Sequence, residues 1–506
     1  LGIRNITHTH YWKIFCTFFK KILKNTCFCV LFTLIFAAHD YEQRSPGVLS
    51  TNTHFWTSRQ AFLFSGISGK IPTLGIPFSL YPQKKPFMLY TEVCILGAGP
   101  GGAATALKLN QLGIPCILMD KASFPRDKIC GDAISGKVLT LLKRLDPALL
   151  RQFAAEPYQI GINGITFVTP NLRDIHIPFQ PMQAQNVPTT PGYVAKRLDF
   201  DHFLIEEVRK HPSIRLFENT SIEQFIRTPT GFQLSDASGQ FQVEAKLVID
   251  ASGAHSSFSR KIAGLEKDPK HHAGAIRAYY KNVQMPQPDA IELHFIASIV
   301  PGYLWIFPLP GGGANVGLGL RTDVLSKRKF NLRQELQQLL TSHPILKERF
   351  ANAQLEGDVK GFSLPLGSKI RPLSGDHFML VGDAGHLIDP LTGEGIGNAF
   401  YSGFLAAEQA QACLKANNFS ASFMKTYDQR VQRVLGSEMR WSYRLQRVLA
   451  YPWLANLLGS VLANNAYFVR FCSELIVDLG NLQRLFRPGF WLRAWVGRKE
   501  SAGLKK

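Results

Sequence analysis

The hexapeptide Gly97-Ala98-Gly99-Pro100-Gly101-Gly102 has the GxGxxG spacing of a phosphate-cradling turn. Its surroundings supply the elements such a turn needs. Residues 92–96 form an apolar strand run, residues 103–112 a small-residue helix stopped by Gly113, and residues 114–119 a second strand ending at Asp120. In that setting Gly97 permits the sharp turn, Gly99 lets backbone approach a pyrophosphate, and Gly102 lets helix and strand pack closely. The helix N-terminus offers free N–H groups and partial positive charge to the phosphates. Asp120, eighteen residues after Gly102, is spaced to bind ribose hydroxyls. The unit predicts a bound dinucleotide, and by itself does not separate FAD from NAD.

Two distant segments make that separation. Residues 246–250 read as a strand running into Ala251-Ser252-Gly253-Ala254-His255-Ser256. Residues 377–381 read as another, leading to Gly382-Asp383-Ala384-Gly385-His386 and on through Asp389, Gly393, Glu394, Gly395, Ile396, Gly397 and Asn398 into a helix over 396–414. An acid at a strand end, then a Gly-rich turn into a helix, suits a ribityl chain. The helix N-terminus would face the flavin pyrimidine, where a reduced, anionic ring needs positive potential. Five glycines and three acids crowd this turn, more than an ordinary loop with a glycine cap requires.

These segments together resemble the geranylgeranyl reductase family of FAD-dependent oxidoreductases, within the wider group of aromatic hydroxylases and flavin halogenases. The resemblance covers residues 90–415. Phe124-Pro125-Arg126-Asp127-Lys128-Ile129-Cys130-Gly131-Asp132 is similar to the family's PxxKxCG signature, and Tyr303-Leu304-Trp305-Ile306-Phe307-Pro308 with Asn315-Val316-Gly317 to its YxWxFP and NVG strands. Arg197-Leu198-Asp199-Phe200-Asp201 is similar to RxxFD, whose Arg lies near the flavin in this superfamily. The resemblance implies an α/β fold: a Rossmann-like FAD-binding domain with an inserted β-sheet substrate domain and a helical C-terminal region. It implies cofactor contacts at Gly97, Gly99, Gly102, Asp120, Lys121, Arg126, Arg197, Gly253, Asp383, Gly395, Ile396 and Asn398, and catalytic roles for Cys130, Tyr303 and Trp305. Cys130, between cationic Lys128 and a glycine turn, is either a low-pKa thiol or a small polarizable side chain packed near the flavin. Alternation of Tyr303, Trp305 and Phe307 makes one strand face aromatic, either sheet core or a wall against a hydrocarbon substrate. The implied reaction is reduction of carbon–carbon double bonds in a geranylgeranyl or polyprenyl chain, with NADPH or reduced ferredoxin recharging the flavin. Some residues depart from the pattern. Ser252-Gly253 stands where hydroxylases have Asp-Gly, His386 where reductases have Gly, and Tyr303 where halogenases have Trp, so an aromatic-ring monooxygenase and a flavin halogenase stay open.

Composition bounds the rest. The 506 residues are 45% hydrophobic and 11% aromatic, which suits a globular chain. The net charge of +20 divides into +8 over residues 1–87, +9 over residues 430–506 and only +3 over the 342 residues between. A nucleic-acid enzyme concentrates basic charge on its functional body, so nucleic acid is not an expected partner; a polyprenyl substrate and peripheral membrane contact are. No apolar run is long enough to cross a bilayer, and no Cys/His spacing suggests a metal site. Lys13, Lys20, Lys21 and Lys24 precede an apolar stretch over 27–38, which suits a signal peptide or short anchor, whereas the lack of Met in residues 1–87 favours a non-native or dispensable leader, with Met88 the functional start and a cytoplasmic, reduced setting for the thiols. The expected division is FAD binding in residues 88–155, 191–270 and 360–415, substrate binding in 156–190 and 271–359, and a basic helical region over 416–506.

Overall fold

Four parallel strands of the computed structural model end side by side, and the glycine motif, Asp120, the Ala251 turn and the Asp383 turn each follow the end of one of them. Phe87–Leu96 lies between Phe241–Asp250 and Cys116–Met119, and Phe378–Leu380 flanks Phe241–Asp250. The register pairs Leu96 with Met119 and with Asp250, and Asp250 with Leu380. Gly97, Asp120, Ala251 and the turn that holds Asp383 therefore leave one edge together, the carboxyl edge where open α/β sheets bind ligands. Ile214–Phe217 extends the sheet beyond Cys116–Met119, and the antiparallel meander Gln224–Thr228, Gly231–Ser235 pairs onto Phe241–Asp250.

The structure describes residues 87–179 and 190–463, with residues 465, 467, 469–471 and 473 beyond them. Residues 1–86, which include nearly all of the expected leader, lie outside the described residues, as does most of the chain after residue 463. The first strand begins at Phe87, with Met88 paired opposite Gln242.

Helix Pro100–Gln111 and the 21-residue helix Ile396–Ala416 pack on one face of this sheet, with Val93, Ile95, Leu118 and Ile249 beneath them. On the other face Cys94, Leu96, Ile117 and Val248 meet Phe232, Phe258 and Phe378. Apolar residues on both faces are what a parallel sheet covered on both sides requires.

A seven-stranded sheet runs in the order Gln354–Pro365, His272–Lys281, Gly313–Arg321, Tyr303–Leu309, Ala290–His294, Gly164–Val168, Asp174–Pro178. Its last strand in sequence thus continues six residues past the expected boundary at 359. Leu332–Ser342 and Pro344–Arg349 cover one face, burying Leu304, Ile306, Val316 and Leu318. The other face meets a small sheet of Ala133–Ile134, Gly192–Ala195 and Gln159–Ile162. Helices Ala421–Val431, Ser437–Leu449 and Pro452–Ala463 form the C-terminal region. Among the described residues no helix is long and apolar enough to cross a membrane.

Candidate active site

Gly97 leaves its strand at φ 92°, and a Cβ there would meet the carbonyl oxygen of Ala251 and Cα of Ser252 at 2.6 Å. A Cβ on Gly102 would stand 1.8 Å from the carbonyl oxygen of Gly97. Both positions are therefore closed to any other residue. Gly99 is different: a Cβ there would find only the Arg126 guanidinium, at 3.5 Å, and one on Gly253 would find nothing within 4 Å. Backbone left bare beside a helix N-terminus is the cradle a pyrophosphate needs. Asp120 is held at its rim, accepting from the N–H of Ala98 at 2.8 Å and of Ala122 at 2.9 Å. Lys121 beside it is exposed.

The RxxFD segment has a simple geometry. Arg197 opens helix Arg197–Arg209 and forks back onto Asp201 one turn later, Nε to Oδ1 at 2.6 Å and Nη2 to Oδ2 at 2.7 Å, while Phe200 enters the core. Both members of the pair are buried. Arg126 donates to the same Asp201 at 2.8 Å and stands 4.0 Å from Asp120. Arg197 also draws the Cys130 thiol pKa downward. A chain of charged groups thus runs from Asp120 through Arg126 and Asp201 to Arg197.

Cys130 is not a low-pKa thiol. Burial pushes its pKa up by more than neighbouring Arg197 draws it down, so the sulfur stays protonated at neutral pH. Lys128, the cation expected to activate it, lies 3.4 Å over the ring of Phe362, and burial lowers its ammonium to about 8 against the opposing pull of Asp383.

Tyr303, Trp305 and Phe307 share one face of their strand with ring centroids 6.3 and 6.4 Å apart, while Leu304 and Ile306 fill the core behind. The row faces the cysteine segment: a Cβ on Gly131 would lie 3.1 Å from Phe307. A Cβ on Gly317, the glycine of NVG, would lie 2.2 Å from the Ile276 carbonyl oxygen and 2.3 Å from the Trp305 ring, so glycine there makes room for both the neighbouring strand and the indole. Trp305 Nε1 donates to Oδ1 of Asn315, whose Nδ2 donates to the Cys130 carbonyl at 2.8 Å and to Asp132 at 2.7 Å. Asp132, fully buried at φ 70°, also accepts from Tyr279 at 2.8 Å, and burial lifts its carboxyl to about 6. Tyr303 reaches across to donate to the carbonyl of Thr392.

Thr392 belongs to the acidic turn. A Cβ on Gly395 would sit 3.2 Å from Oδ1 of Asp383, so that carboxylate adjoins the start of Ile396–Ala416. No side chain caps this helix at Gly395, which leaves its first-turn N–H groups for a ligand. Ile396 and Asn398 contribute nothing more than backbone there. The Ile396 side chain is in the core, and the Asn398 amide donates to the carbonyls of Leu387 at 2.9 Å and Glu394 at 3.2 Å.

Sequence reasoning missed the layer behind this turn. Glu438, Ser442 and Gln446 form a buried polar stripe at helical spacing. Lys137 bonds Glu438 at 2.6 Å and stands 3.5 Å from Glu394, and Gln446 donates to the carbonyl of Pro390. Burial raises Glu438 to about 7. The i, i+4, i+8 polar spacing in an otherwise apolar and basic helix was the available signal.

Bare backbone at Gly99 and Gly253, the uncapped helix and the two strand-end acids fit a dinucleotide flavin. A family profile described as an FAD binding domain matches residues 90–441. The chain belongs to this family. It is an FAD-binding oxidoreductase, similar at 28% identity over 357 residues to a digeranylgeranylglycerophospholipid reductase of Thermoplasma acidophilum, covering 67% of this chain and 83% of the relative. It is 26% identical over 402 residues to a menaquinone reductase of Mycolicibacterium smegmatis, covering 76% and 92%. In fold it is similar to a geranylgeranyl bacteriochlorophyll reductase-like protein of Thermoplasma acidophilum, at TM-score 0.65 and 24% identity, over 79% of this chain and 99% of that one.

Proposed function

We propose that this FAD enzyme saturates isolated double bonds in a geranylgeranyl-type chain carried on a lipid. The observation that carries the reading is the aromatic row of Tyr303, Trp305 and Phe307 facing Cys130 and Gly131 beside the acidic turn. When bound and reduced, FAD supplies hydride to one alkene carbon. An unactivated alkene is a poor hydride acceptor, so a proton must arrive at the other carbon, and positive charge develops at a tertiary centre. Aromatic faces tolerate such charge without quenching it. Cys130 keeps its proton at neutral pH, which supports a role in relaying one or in positioning the chain. The Asn315 amide fixes Trp305 against that cysteine. The reductases among the relatives support the same chemistry, with NADPH or reduced ferredoxin as the source of electrons. The basic C-terminal helices support peripheral contact with an anionic membrane.

The test is anaerobic incubation of the FAD-loaded protein with dithionite and a geranylgeranyl lipid, followed by mass spectrometry. Products heavier by two hydrogens per step are expected. No mass gain across several polyprenyl substrates, with oxygen-dependent addition to an aromatic compound instead, would move the chain to the monooxygenases.

A further inference from the structure

Behind the acidic turn lies a small, partly open pocket that the flavin chemistry does not use. It is bounded by the Gly367–Arg371 loop, by Gly385, His386 and Leu387, and by Gln432 and Arg440 from the C-terminal helices. Arg371 is its anomaly. The guanidinium is half-buried, Nη1 meets only the carbonyls of Leu366 and Lys369 at 3.4 and 3.0 Å, and buried Nη2 has no partner among the described residues. Asp268, the carboxylate that acts on it, is already bonded to Lys369 at 3.3 Å. A cation taken out of water without a counter-charge is costly.

The surroundings do not neutralise it. Lys369 and Arg440 line the same pocket. His386 and His272, in edge-to-face contact at 5.2 Å, have no bonded partner at His386 Nδ1 or at either ring nitrogen of His272 among the described residues. Burial and the nearby cations, Arg371 and Lys267, hold His386 down to about 3 and His272 to about 4. Both rings are therefore neutral, while the pocket as a whole is positive. Ile370, 65% exposed, lines this pocket as an apolar side chain in water.

We infer that this pocket binds a phosphate group, and that the phosphate is the headgroup of the lipid whose chain is reduced. A tetrahedral oxyanion would take the exposed guanidinium of Arg440 and supply a counter-charge to the unpartnered Nη2 of Arg371, with Lys369, shared with Asp268, as a third positive group. Ile370 gives the lipid's first carbons an apolar surface that a free ion cannot use. The inference rests on the prenyl-lipid reading, and its test separates the two.

Titration calorimetry on the FAD-loaded full chain compares inorganic phosphate, a short-chain phosphatidic acid below its micelle concentration, and the matching neutral diacylglycerol. The lipid phosphate is expected to bind at least about tenfold tighter than inorganic phosphate, and Arg371→Gln to weaken it by about tenfold or more. Arg440→Gln, on an exposed side chain, gives the same direction if Arg371→Gln does not fold. Equal binding of the neutral lipid, or affinity unchanged in a folded variant, overturns the phosphate site. Inorganic phosphate binding as tightly as the lipid overturns the headgroup assignment. A protein that binds lipid phosphate yet reduces no polyprenyl chain keeps the site and loses the proposed reaction.

Discussion

The indole of Trp305 and the amide of Asn315 are joined at 2.9 Å, on adjacent strands of the large sheet. Through this bond the aromatic wall is tied to the cysteine segment, because the same amide donates to the Cys130 carbonyl and to Asp132. Removing the amide leaves a buried indole N–H, a carbonyl and a carboxyl short of partners at once. Each such loss costs about 1–3 kcal/mol. Asn315→Leu is expected to destabilise the FAD-loaded protein by about 3–5 kcal/mol, measured by urea unfolding; a loss under about 1 kcal/mol would show that the network is not what holds the wall.

Gly102, inside helix Pro100–Gln111, and Gly113, just past its end, provide a paired comparison. Gly102→Ala sets a methyl against the Gly97 carbonyl oxygen, whereas Gly113→Ala meets no atom within 4 Å and only strains a backbone at φ 73°. The first variant is expected to lose flavin or fail to fold, and the second to keep flavin at a cost of about 1 kcal/mol. Flavin absorbance after gel filtration, together with the melting temperature, reads both.

Cys130 should behave as a protected thiol. Its raised pKa predicts modification by a disulfide reagent at neutral pH more slowly than that of a free peptide cysteine, with the rate still climbing well into the alkaline range. Cys130→Ser should keep FAD and lower turnover. A fast, pH-independent reaction near neutrality would contradict the assignment.

Glu438 makes stability depend on pH in a stated direction. Its folded pKa is about 7 against an ordinary 4.5, so the native state holds a proton that the unfolded chain releases between those values. That contribution is complete below pH 4.5 and disappears as pH rises through 7. Glu438→Gln cannot lose it. The stability of the variant relative to wild type should therefore increase steadily across this interval in urea titrations, and a flat difference would place the proton elsewhere.

The flavin side of the molecule was legible because its signals are local. Gly97, Gly102, Asp120 and Asp383 sit at strand ends whose apolar runs and glycine breaks lie within a few residues of each motif. The fork of Arg197 onto Asp201 was not read from the RxxFD segment, although its i, i+4 spacing on one helix was the available signal. Asp132 was not legible: its partners are Tyr279, 147 residues on, and Asn315, 183 residues on, and no local pattern encodes a register between separate sheets. The inward turn of the Asn398 side chain was not legible either: Leu387 and Glu394 present carbonyls that a buried loop must satisfy. For Cys130, the sequence showed a cation nearby but not that Lys128 would settle over Phe362.

The contact of Gln446 with the Pro390 carbonyl has a consequence for how the holoenzyme is made. The turn that completes the flavin site is built from residues 382–398, yet its outer side stays open to water until the helix bearing Glu438 and Gln446 has been synthesised and has docked. During vectorial synthesis the pyrophosphate cradle at Gly97–Gly102 emerges several hundred residues earlier. A nascent chain therefore displays the Gly97–Gly102 turn long before residues 382–398, and a chain stopped before Gln446 would lack the side chain that holds the Pro390 carbonyl. The final shape of the acidic turn is thus coupled to the helix that bears Gln446 rather than to the first glycine motif.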